Sequence, residues 1–172
     1  DAAGKARLLE AARSLGFELC GPEKRHARLG LDRIAIKGGH TLDIFAGRIS
    51  YDFKLSEAMW QRGKRTQTLG NAEMRYAAVE DIFILKLIAN RPKDIEDCLS
   101  LTSAKMDYEA MYAEIEAQYA RAGTVEEKIW ITYLEEDIGK LEEDYRLQLP
   151  IADRISELAD EYRVRLYRKL TG

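Results

Sequence analysis

The 172-residue chain is 46% hydrophobic and 33% charged, a balance that suits one globular domain or one core with an appendage and excludes disorder along the whole length. No apolar run approaches the roughly 20 residues of a bilayer-spanning helix, and the richest stretch, Ile82–Ala89, is interrupted by Lys86. The net charge of −3 joins a basic first part, with 13 Lys and Arg against 8 Asp and Glu in residues 1–70, to an acidic remainder of 14 against 22; the first suits phosphate, the second a solvated helical surface.

Lys5–Leu15 reads as a helix with Leu8, Leu9, Ala12 and Leu15 on one face and Gly16 in the C-cap position. Short alternating segments follow at Phe17–Cys20, His26–Leu29, Arg33–Lys37 and Thr41–Phe45, with a hairpin signal at Gly38-Gly39. Together they predict an antiparallel meander, with Ile34 and Ile36 sharing one face of their strand and Leu42 and Ile44 one face of theirs. Ser56 is placed to cap a short helix through Trp60, and Arg62-Gly63-Lys64-Arg65 reads as a basic loop. Glu73–Val79 predicts a strand leading into a helix over Glu80–Asn90, with Ile82, Leu85 and Ala89 on its inner face. Pro92 suits the first turn of a helix reaching about residue 103. The remainder predicts helices over Asp107–Ala122, from a Thr124–Glu127 capping box to about Arg146, and from Pro150 onward. A seam is expected near residue 105, dividing an α+β core (1–105) from a helical C-terminal region (106–172).

The start, DAAGKARLL, has neither a methionine nor a basic region leading into an apolar core, so no signal peptide is expected; the N-terminus is processed or part of the protein precedes Asp1. Cys20 and Cys98 are isolated thiols, which fits a reduced, cytoplasmic location and argues against a disulfide framework or a structural zinc.

Two groups of residues carry candidate chemistry. Asp43 is a carboxylate flanked by apolar residues on a strand, where burial demands a cation or a metal; otherwise it is an edge-strand acid facing solvent or pairing with an arginine. The second group lies in VEDIFILKLIANRPKDIED. Lys86 interrupts an apolar helix, and Arg91 and Lys93 cluster at a helix joint beside the N-terminus of the next helix, an arrangement that suits an anion. Asp94 and Asp97 share a face of that next helix and are within reach of Lys86 or Arg91, so the same residues also suit a salt-bridge network holding two helices together. His26 and His40 form no catalytic arrangement.

The order helix, meander with HTLDIFAG, basic segment, then AAVEDIFILKLIANRPKDIEDCLSL resembles the nucleotidyltransferase-fold proteins related to polymerase β, in the branch of abortive-infection and toxin–antitoxin nucleotidyltransferases. The resemblance covers residues 5–101. It implies a mixed or antiparallel sheet with flanking helices and a metal-dependent transfer of a nucleoside monophosphate from an NTP to an acceptor hydroxyl on RNA, protein or a small molecule. In such proteins a DxD strand and a third carboxylate hold Mg²⁺ for in-line attack. Asp43 then stands as the third carboxylate and metal ligand, Lys86 with Arg91 and Lys93 as triphosphate contacts, and Asp94 and Asp97 as their bracing partners. The Gly-Ser and DxD segment belongs before the first helix, upstream of Asp1. The alternative is a catalytically inactive, antitoxin-like module with a protein partner on its C-terminal helices. Neither reading places the chain in a membrane.

Overall fold

Gly16, at φ +83°, ends α1 (Ala2–Ser14) as expected of a C-cap glycine. The computed structural model describes residues 2–24, 29–69 and 72–171 and shows an α+β chain that packs as two compact units, Asp1–Lys54 and Leu55–Gly172.

The first unit sets α1 against an antiparallel sheet of β1 (Glu18–Cys20), β2 (Leu29–Lys37), β3 (His40–Ser50) and β4 (Phe53–Lys54), in the order β1-β2-β3-β4. Gly38 and Gly39 both take positive φ, 54° and 80°, which two-residue hairpin turns require. The expected segment at His26 falls outside the described residues. Near Gly30 the ladder shifts register, and a side chain there would place its Cβ 2.3 Å from the Arg48 carbonyl oxygen. Ala12, Leu31, Ile34, Ala35, Ile44, Ile49 and Phe53 form the core. The predicted apolar faces are only half used. Ile34 and Ile44 are buried, whereas Ile36 and Leu42, which lie toward the hairpin turn, are exposed, as are Leu8 on α1 and Leu15 just after it.

In the second unit, Ser56 caps α2 (Glu57–Arg62), its Oγ accepting from the Met59 amide at 3.0 Å. The segment expected as a basic loop is instead the end of α2 and the start of β5 (Lys64–Leu69), which pairs antiparallel with β6 (Ala72–Tyr76). Its polar composition concealed the strand; the pairing with β6 supplies what its own side chains do not. Then come α3 (Val79–Ala89), α4 (Pro92–Leu101), α5 (Tyr108–Arg121), a short 3₁₀ turn (Glu126–Lys128), α6 (Trp130–Tyr145) and α7 (Ala152–Thr171).

Phe83, Ile84, Leu87 and Ile88 are the buried apolar residues of α3, while Ile82, Leu85 and Ala89 are half-buried. The inner face is therefore turned from the expected one, because α3 packs on α4, α5 and α6 and needs a wide apolar surface. Met111, Ile115, Trp130, Ile131, Leu134, Leu141, Ile151 and Ile155 complete the core, each large side chain contributing about 1.5–3 kcal/mol by burial. The Thr124 capping box forms as predicted: the Glu127 carboxylate accepts from the Gly123 and Thr124 amides, and the Thr124 hydroxyl accepts from the Glu127 amide. It opens the 3₁₀ turn ahead of α6. Residue 105 lies inside this unit, since α3 and α4 share their core with α5 and α6. No helix among the described residues is long and apolar enough to cross a membrane.

Candidate functional site

Asp43 lies on β3 opposite Ile34, with its side chain exposed. The strand β4 pairs with β3 only around Arg48 and Ser50, so Asp43 stands where β3 has a neighbour on one side. This is the solvent-facing placement that the sequence left open for it. Among the described residues, no group of three or more His, Cys, Asp and Glu side chains is placed to hold a metal ion. One exposed carboxylate falls short of the several oxygen donors Mg²⁺ takes, so the described residues do not by themselves fit that ion.

Lys86, Arg91, Asp94 and Asp97 do come together, in the second unit. Asn90 caps α3 in the left-handed conformation (φ 48°), which turns the chain sharply so that Pro92 begins α4 almost at once. The tight joint lays Lys86 along the first turns of α4. Its Nζ donates to Asp97 Oδ2 at 2.5 Å and approaches Asp94 Oδ1 at 3.4 Å. From the other side Arg91 makes a two-pronged contact with the same Asp94, Nε to Oδ2 at 2.5 Å and NH2 to Oδ1 at 3.1 Å. Asp94 is fully buried. Burial acts to lower the Lys86 pKa, but its bonds to Asp97 and Asp94 outweigh this and the net shift is upward. The Asp97 carboxyl is drawn below its usual range, chiefly by the hydrogen bond from Lys86. Lys93 is exposed.

The cluster continues to α6. Asn90 Nδ2 donates to Asp137 Oδ1 at 3.0 Å, and Lys140 Nζ donates to the same oxygen at 2.8 Å. Burial raises the Asp137 pKa, with Lys140 acting against it. Three helices are thus tied by ionic and polar contacts around two buried aspartates. The thiol of Cys98 beneath them is pushed up to about 12 by burial, which makes it inert rather than nucleophilic.

A second ionic cluster escaped the sequence reading. Arg62, read from the sequence as part of a basic loop, turns inward from the end of α2. Its NH2 donates to Asp81 Oδ1 at 2.6 Å and to Glu114 Oε2 at 2.9 Å. The Ser56 hydroxyl also donates to Glu114 Oε2, and Gln118 donates to its Oε1. Asp81 and Glu114 are both buried. Burial pushes the Asp81 pKa up, and the bonds from Arg62 offset only part of the rise. The one sequence signal for this cluster is that Glu114 and Gln118 share a face of α5 with Met111 and Ile115, where polar groups need partners.

No family model, curated protein or solved structure matches the chain.

Proposed function

We propose that this chain is a nucleotidyltransferase-like binding module that engages a protein partner and does not itself transfer nucleotides. One observation carries this reading: Lys86 and Arg91, which the resemblance assigns to the triphosphate, are already engaged by Asp94 and Asp97. A phosphate approaching them meets carboxylates in its place and gains nothing unless buried Asp94 gives up both cations. The Lys–Asp–Asp spacing that carries the resemblance is then a helix clamp. The partner surface is the end of α7, where Val164, Tyr167 and Leu170 are exposed at helical spacing. A prokaryotic toxin–antitoxin or defence setting follows from the resemblance, and a cytoplasmic location from the isolated thiols Cys20 and Cys98. The test is the melting temperature with Mg²⁺ and each of the four NTPs. A ligand that binds the folded state must raise it; no rise is expected, and a clear rise with any NTP overturns the reading.

A second reading keeps the enzyme. It is favoured by the exposed Asp43 carboxylate, open to a metal ion that would bridge it to the phosphates of an NTP. In that reading Asp43 holds Mg²⁺ jointly with further carboxylates. Label transfer from NTP by the full-length protein, lost in Asp43→Ala, establishes it. Equal transfer in both proteins, or none in either, removes it.

A further inference from the structure

The helix α7 carries its charges in two blocks. Residues 152–161 hold four acids and one base, and residues 162–171 hold four bases and no acid. The helix dipole favours that order only within the first and last turns, whereas Asp160, Glu161, Arg163 and Arg165 lie mid-helix. Ile155, Ala159 and Tyr162 are buried and define the inner side of α7. With about 3.6 residues per turn, the line opposite them runs through Glu157, Asp160, Val164, Tyr167 and Arg168, all exposed. Val164 is 49% and Tyr167 68% exposed, and Leu170 lies to one flank of the line. The outer stripe of α7 thus reads acidic, then apolar, then basic.

Such a stripe is complementary to itself. Laid antiparallel on a second copy with Val164 against Val164, it sets Arg168 of each chain against Asp160 of the other. It also sets the Tyr167 ring along the stem of Glu161. A two-fold contact repeats every pair, so each complementary charge counts twice. The apolar residues fall at the middle and the charges at the rim, as in protein interfaces generally. A parallel arrangement would instead oppose acid to acid and base to base. The chain's own ion pairs leave these charges available. Among the described residues Glu157 and Arg168 have no ion-pair partner, and Asp160 pairs only with Arg163, at 2.8 Å on the exposed surface. An exposed pair of that kind is weakly held and can be exchanged.

We propose that two copies of this chain pair antiparallel through the outer faces of α7, about a two-fold axis at Val164. This deepens the partner-binding reading above and rests on its placing of the partner at α7: the partner is a second copy of the chain.

The test is sedimentation equilibrium of the whole chain over a wide concentration range, at low and at high salt. A monomer–dimer equilibrium that weakens with salt is expected. Asp160→Arg and Arg168→Glu each place like charges across the axis twice, and each alone should weaken the dimer about tenfold or more. Mixed in equal amounts, the two variants should pair again, because the new charge of each meets its opposite in the other. Both positions are exposed, so each variant should melt as the parent does, and recovery on mixing is an outcome that misfolding does not produce. A monomer at every concentration in low salt overturns the proposal, as does a dimer that neither variant weakens. Loss in both variants without recovery on mixing overturns the antiparallel register. A monomer that shows no melting response to NTP removes the dimer and keeps the partner-binding reading; an NTP response alongside a dimer does the reverse.

Discussion

The two ionic clusters of the second unit bury carboxylates under opposite conditions. Around Asp94 and Asp97 stand two cations, Lys86 and Arg91, both reaching partly into solvent. Among the described residues, Asp81 and Glu114 share one guanidinium, that of Arg62, and both acids are buried. The first cluster is balanced and can exchange its contacts with water. The second carries one negative charge in excess, held by the Ser56 hydroxyl, the Gln118 amide and a raised Asp81 pKa. A balanced cluster at a helix joint works as a clamp. An unbalanced one makes the end of α2 depend on a single residue.

Breaking that dependence is expected to have the largest effect. Arg62→Met leaves two buried acids without a cation and should lower the unfolding free energy by about 3–5 kcal/mol in urea titration. Asp94→Ala should cost less, about 2 kcal/mol, because Lys86 and Arg91 turn to water once their partner is gone. Lys86→Met is smaller again, about 1 kcal/mol or below, since Arg91 still holds Asp94. A loss in Lys86→Met as large as that in Arg62→Met would erase the distinction between the clusters.

The pH dependence separates them by sign. Asp81 is raised above the ordinary value of 3.8, so its contribution is present below that value and is lost as pH rises through the folded-state pKa. Asp97 is lowered from the same value, so its contribution is present above 3.8 and is lost as pH falls through the folded-state pKa. Unfolding titrations across this range should show the parent's stability relative to Asp81→Asn declining as pH rises above about 4. Relative to Asp97→Asn it should decline as pH falls below about 4.

The contrast also explains what the sequence disclosed. Lys86, Arg91, Asp94 and Asp97 span twelve positions across one helix joint, so a salt-bridge network was legible as one of their two readings. Arg62, Asp81 and Glu114 are 19 and 33 positions apart in turn, and no local pattern joins them. Asp81 in the first turn of α3 reads as an ordinary favourable acid at a helix N-terminus. Ser56 was legible as a cap because its acceptor role is local; its donation to Glu114, 58 positions on, was not. The α+β class, the Gly38-Gly39 hairpin and the helical C-terminal part followed from short-range signals. The strand β5 did not, because its ladder with β6 decides it and its side chains do not. Asp43 was correctly placed on a strand, at a position alternating with buried Ile44.

The most direct test of the clamp is a thermodynamic cycle between Asp94→Asn and the paired substitution Lys86→Met with Arg91→Met, read by urea denaturation. If these cations serve the fold, the coupling between the two changes should be about 1–3 kcal/mol, the range of residues sharing one ionic network. A coupling near zero would mean that Lys86 and Arg91 are held for something other than Asp94, and would contradict the clamp.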